Sequence, residues 1–168
     1  MKRLVVIAPV LCALLLMVAP SASAQGKPTR IPQGPFDVSF SAGQVCSFAL
    51  EAKSVVQQEV ETLWSNPDGT PNHAEVNGKL VVQFTNLDTG SNVTLNESGP
   101  GSIVFNPDGS LTFHDTGPTG LSLFPTDQPP GPATILNYGR TVLTVSPTGM
   151  VTILSMTGNT LDVCAMIA

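Results

Sequence analysis

The chain has 168 residues, with 7 basic and 12 acidic side chains, a formal net charge of −5 and only 11% charged residues. An acidic, sparsely charged chain argues against nucleic acid as a partner, because phosphate binding needs clustered Lys and Arg. It leaves Ser, Thr, Asn and Gln to supply the polar surface, as in many exported β proteins.

The first residues read as an export signal. Met1-Lys2-Arg3 is a basic start, Leu4 to Ala19 is an apolar run broken by Pro9, and Ala22-Ser23-Ala24 is an A-x-A cleavage site. The run is shorter than the roughly 20 residues that span a bilayer, and no second run follows, so the mature chain is expected to be secreted with no transmembrane segment. Cys12 follows Leu11 inside the apolar run, which does not fit a lipoprotein anchor. Cleavage after Ala24 would remove Lys2 and Arg3, shifting the net charge from −5 to −7, and leave about 144 residues for a single domain.

Residues 25–35 carry Pro28, Pro32, Pro35, Gly26 and Gly34 without an apolar period and read as a flexible lead-in. From residue 36 to residue 168 short alternating segments lie between turn signals. Phe36, Val38 and Phe40 share one face, as do Cys46, Phe48 and Leu50. The stretch Val55 to Trp64 fits a helical stripe through Val55, Val56, Val60 and Leu63, and also a strand face through Val56, Val60, Thr62 and Trp64. The hairpin signal after Trp64 and the neighbouring strands favour the strand.

Leu80, Val82 and Phe84 follow, then Val93 and Leu95 opposed to Asn92, Thr94 and Asn96. Ile103 and Phe105, Leu111 and Phe113, Leu121 and Leu123, Ile135, Leu143 and Val145, Val151 and Ile153, and Leu161 and Val163 complete the set. Turn signals separate them at 87–90, 98–101, 106–109, 117–118, 125–132 and 146–149. Strands of this length with turns every 8 to 12 residues predict an all-β domain, a barrel or a sandwich.

The tetrapeptide Asn-Pro-Asp-Gly occurs at 66–69 and again at 106–109. Proline presets the first turn angle, Asn caps the turn, and Gly supplies the left-handed residue that follows, so each motif reads as a hairpin corner. A calcium site would need six to eight oxygens, whereas each loop offers one carboxylate, Asp68 or Asp108. Ser146-Pro147-Thr148-Gly149 is the same corner without the acid.

With Cys12 removed, Cys46 and Cys164 remain, and export makes a disulfide between them the expected state. Bridged cysteines lie within about 7 Å between Cα atoms, so the first and last strands must approach one another. A hairpin meander whose ends meet is most simply a single antiparallel β-barrel, closed or nearly closed; a two-sheet β-sandwich satisfies the same constraint.

Catalytic signals are sparse. His114 and Asp115 are neighbours, and neighbours on a strand point to opposite faces. His73-Ala74-Glu75 matches half of a zinc-deaminase signature whose cysteine half is missing. No nucleophile elbow, H-E-x-x-H, phosphate-binding loop or dinucleotide fingerprint occurs. No residue is assigned as catalytic, cofactor-binding or metal-ligating, and no cofactor is expected. A paired-carboxylate site among the scattered acids would leave no sequence signature. Asn92-Val93-Thr94 and Asn96-Glu97-Ser98 are formal glycosylation sequons that also fit a plain polar strand face.

Cys46-Ser47-Phe48-Ala49-Leu50, the stretch from Thr85 to Gly101 with Pro107-Asp108-Gly109-Ser110, and Leu161-Asp162-Val163-Cys164-Ala165 together resemble a group of small exported actinobacterial proteins that carry no assigned activity. The resemblance implies an all-β fold and a Gram-positive secreted setting and brings no site residues. The resulting expectation is a secreted, non-enzymatic β domain for a small apolar ligand or a cell-surface partner. The alternative is a secreted hydrolase or barrel-type cyclase using scattered carboxylates with His73 or His114.

Overall fold

The computed structural model describes residues 27–168; the expected export signal, Gln25 and Gly26 lie outside the described residues. Eleven strands and one helical turn follow in order: β1 (Thr29–Pro32), β2 (Asp37–Phe40), β3 (Leu50–Gln57), β4 (Val60–Ser65), β5 (Pro71–Asn77), β6 (Leu80–Asn86), β7 (Asn92–Asn96), β8 (Gly101–Phe105), β9 (Leu111–Leu123), β10 (Ala133–Val145), β11 (Val151–Asp162) and α1 (Val163–Met166). Part of the expected lead-in is therefore ordered, since β1 pairs antiparallel with β4 from Thr29↔Leu63 to Pro32↔Val60.

The strands form two antiparallel sheets, one of seven in the order β1-β4-β5-β8-β9-β10-β11 and one of four in the order β2-β3-β6-β7. The expected closed or nearly closed barrel is not formed; the architecture is the two-sheet, sandwich-like alternative. Each sheet has two edges, and no ladder joins an edge of one to an edge of the other among the described residues.

The physical reason lies in how the ends meet. Cys46 and Cys164 are bridged with Cα atoms 5.6 Å apart. Cys46, however, sits in the irregular segment before β3 and Cys164 in α1, rather than in strands. A covalent link between a loop and a helical turn brings the termini together without backbone pairing, so it imposes no closure. Asp162 caps that turn, its side chain accepting from the Ala165 N–H at 2.9 Å.

The core fills the space between the sheets. Val45, Cys46, Phe48, Leu50 and Ala52 pack with Val82 and Phe84 from the small sheet, Leu136 from β10, and Val163 and Ile167 from the C-terminal turn. Alternation produces this directly: in β6 Val82, Phe84 and Asn86 are buried while the residues between them are half-buried. Asn86 is accommodated because its amide donates to the Ile167 carbonyl at 3.0 Å and its side-chain oxygen accepts from Asp88 N–H at 2.9 Å.

The stretch from Val55 to Trp64 is strand, as favoured, but it is two strands in different sheets, since β3 belongs to the small sheet and β4 to the large one. Likewise Gly117-Pro118, expected as a turn, lies inside the 13-residue β9. Proline is tolerated there because Thr116 N–H points to the Pro100 carbonyl at 3.0 Å. The nitrogen of Pro118, two residues on, faces the same side, where β9 has run past β8 and no ladder bond is lost. Gly117, Gly139 and Gly158 stand in register across β9, β10 and β11. A side chain on Gly139 would collide with the Thr157 carbonyl, and one on Gly158 with the Tyr138 carbonyl.

Candidate functional site

Three chain passages carry the strands from one sheet to the other at one corner: Gln58-Glu59 between β3 and β4, Gly78-Lys79 between β5 and β6, and Glu97 to Pro100 between β7 and β8. Backbone bonds hold the passages side by side, from Gln58 N–H to the Lys79 carbonyl at 2.8 Å and from Glu97 N–H to the Leu80 carbonyl at 3.0 Å. The Ser98 hydroxyl accepts from Leu80 N–H at 2.9 Å, standing in for a ladder carbonyl as the strand leaves its sheet. Gly78 has φ +142°, and a side chain there would strike the backbone of Gln58 and Glu59.

This corner aims Glu97 inward. Glu97 keeps the parity of Val93 and Leu95, both packed on the core, so its carboxyl follows the apolar face rather than the polar one. The carboxyl lies against Gly120 of β9, where any Cβ would occupy its place. Its Oε1 is buried and has no hydrogen-bond partner. Burial, and after it the nearby Glu59 carboxylate, together push the Glu97 carboxyl up to about 7. Glu59 is itself raised by burial, partly opposed by a hydrogen bond from Gln57.

Glu97 stands between two hollows. One, of about 170 Å3, lies between the inner face of the small sheet and the far half of β9; Phe36, Phe40, Ala52, Val82 and Phe84 form its apolar side and Gly120 to Ser122 the opposite wall. Val38, 42% exposed, stands at its mouth, and an edge-to-face contact of Phe40 with Phe124, centroids 5.9 Å apart, lies beside it. The other, of about 200 Å3, is lined by Glu59, Leu80, Ile103, Phe113 and Asp115. Asp115 shares the parity of Leu111 and Phe113, and burial raises it to about 6 despite the opposing influence of His114. The missing side chain of Gly101, directly across from Asp115, leaves room for that carboxyl.

The residues singled out from sequence are placed elsewhere. His73 stacks on its cross-strand partner Trp64, with centroids 4.3 Å apart and planes 6° from parallel. His114 lines a separate shallow hollow with Glu75 and Ser102, whereas Asp115 lines the inter-sheet one, so the adjacent pair is divided between two surfaces. Asn92 and Asn96 are exposed on β7.

The two Asn-Pro-Asp-Gly motifs are corners, with Gly69 and Gly109 at φ +86° and +81° and their N–H groups bonded to the Asn66 and Asn106 carbonyls at 2.9 and 3.0 Å. Asp68 accepts from the Thr70 N–H and hydroxyl, and Asp108 from those of Ser110, which explains the hydroxyl residue after each motif and holds both carboxyls below their usual range. Among the described residues no group of three or more His, Cys, Asp or Glu side chains is placed to hold a metal ion, and no helix is long and apolar enough to cross a membrane. No protein-family model, curated protein or solved structure matches this chain.

Proposed function

We propose that the protein is exported and acts as a non-enzymatic β domain that binds a small apolar molecule in the cleft between its two sheets. The observation that carries this reading is the phenylalanine- and valine-lined cleft ending at a buried, unpaired carboxyl oxygen. Small-molecule sites combine an apolar lining with few polar groups that fix orientation, and here Glu97 is that group. At about 170 Å3 the cleft suits a molecule or chain segment well below drug size. The basic start and A-x-A site of the sequence support export, with which a disulfide is compatible.

Native mass spectrometry of the protein from its secreting host tests this reading. A stoichiometric adduct lost on denaturation is expected, and Val38→Trp, which blocks the mouth at an already exposed position, should abolish it. An adduct that persists in Val38→Trp would place the ligand elsewhere.

A second reading, a hydrolase of the paired-carboxylate type, is favoured by Glu97 and Asp115 lying in one hollow with both carboxyls raised. It requires that Glu97→Gln and Asp115→Asn each abolish a hydrolytic activity detected in the wild type.

A further inference from the structure

The cleft ends in a carboxyl group with nothing in the protein to satisfy it. Glu97 Oε1 is buried without a donor, and an unsatisfied buried oxygen costs free energy that folding must offset elsewhere. The adjoining hollow adds two more carboxyls, Glu59 and Asp115, and no Lys or Arg lines either space. Lys53, the cation on the small sheet, is engaged on the exposed surface with Asp37 at 3.0 Å. An apolar slot that leads to three acidic groups and no base is complementary to one kind of small molecule.

We infer that the ligand is an aliphatic or arylalkyl primary amine, whose apolar part lies against Phe36, Ala52, Val82 and Phe84 while its ammonium group donates to Glu97 beside Gly120. This rests on the proposed cleft binding and adds the ligand's head group to it. An ammonium carries three donors and a full charge, so it can serve Oε1 of Glu97 and turn toward Glu59 in the adjoining space. A neutral hydroxyl can satisfy one oxygen but leaves the acidic surroundings uncompensated. A carboxylate head would add a like charge in a poorly hydrated place, which the protein penalises already by keeping Glu97 partly protonated. Gly120 is essential to the geometry, because a Cβ there would take the volume that the Glu97 carboxyl occupies.

Isothermal titration of the full mature protein at about pH 7, with octylamine, 1-octanol and octanoate as probes of equal chain length, tests the inference. Octylamine should bind on the order of tenfold more tightly than octanol, with octanoate weakest, as expected for a charge-assisted over a neutral hydrogen bond. Glu97→Gln, which keeps the side-chain shape, should remove the amine preference while octanol binding stays within about twofold. Glu75→Gln, on the exposed outer face, should change neither. Equal binding of the three probes, or an amine preference that survives Glu97→Gln, would overturn the amine assignment and leave the cleft reading standing. If none of the three binds, the cleft reading falls and the amine assignment with it.

Discussion

Glu97 gives the protein a pH dependence whose sign follows from its surroundings. A carboxyl raised to about 7 in the folded protein, against 4.5 as its ordinary value, keeps its proton in the folded chain while the unfolded chain has lost it. The folded state therefore binds more protons between about pH 4.5 and 7, and stability falls across that window as pH rises. The loss is on the order of 3 kcal/mol. Asp115, raised to about 6, acts with the same sign at the lower end of the window. Urea midpoints at pH 5 and pH 8 should differ accordingly, higher at pH 5, and Glu97→Gln should reduce most of the difference; a midpoint that rises with pH would contradict this account. The clue to these two acids was present in the chain. Glu97 continues the parity of Val93 and Leu95, and Asp115 that of Leu111 and Phe113, so each is an acid on an apolar face. What the sequence could not reveal is that they share a hollow with Glu59, since that depends on where the chain changes sheets. The histidines, chemically more conspicuous, lie apart from these acids: His73 stacks on Trp64, and His114 is on the face away from Asp115's hollow.

At the scale of the elements, alternation and turn chemistry located the hairpins well. The corners at 66–69, 106–109 and 146–149 all close with a left-handed glycine, at φ +86°, +81° and +86°. Replacing Asp108 by Ala removes the acceptor for the Ser110 N–H and hydroxyl and should lower the urea midpoint slightly at neutral pH. Two features escaped the periodicity. The change of sheet at Gln58-Glu59 needs no reversal of the chain and so leaves no turn signal. Gly117, expected in a turn, lines up with Gly139 and Gly158 in a crease running across three long strands. Asn137 shows how tight that crease is: its buried amide reaches over Gly139 to Thr141 Oγ1 at 2.9 Å and to the Thr157 carbonyl at 3.1 Å. Gly139→Ala would place a methyl group into the Thr157 carbonyl, where only backbone can yield. Such a clash should cost several kcal/mol, in the range reserved for strained or overpacked core positions. Thermal denaturation of Gly139→Ala beside Gly149→Ala, which meets no neighbouring atom but is also strained at φ +86°, would separate the crease from an ordinary glycine turn: the first should be the more damaging.

For the whole molecule, the distinction between barrel and sandwich was out of reach because both satisfy a single link between early and late chain. The decisive fact, that Cys46 lies in a loop and Cys164 in a helical turn, concerns segments with little periodicity of their own. The bridge spans a sequence separation of 118 residues. In the chain-entropy description a loop of that size contributes roughly 4 to 5 kcal/mol. Cys46→Ala and Cys164→Ala should therefore each lower the melting temperature by about 10 to 15 °C. Their effects should be equal, since either opens the same loop; a clear difference between the two single variants would show that one cysteine matters chiefly for packing.

The same bridge decides how the molecule would bear a load. Tension applied between Thr29 and Ala168 runs along the chain to Cys46, crosses the sulfur–sulfur bond to Cys164 and continues to the end, without passing through any residue between them. Only β1, β2 and the last turn can be peeled away by such a pull. From β3 to β11 the strands, and with them Glu97 and the Ala52, Val82 and Phe84 part of the cleft, lie inside a covalent ring that stays slack, whereas Phe36, Val38 and Phe40 lie outside it. A pull on both ends would therefore strip the Phe36, Val38 and Phe40 wall from the cleft while Glu97 and the strands around it stay in place.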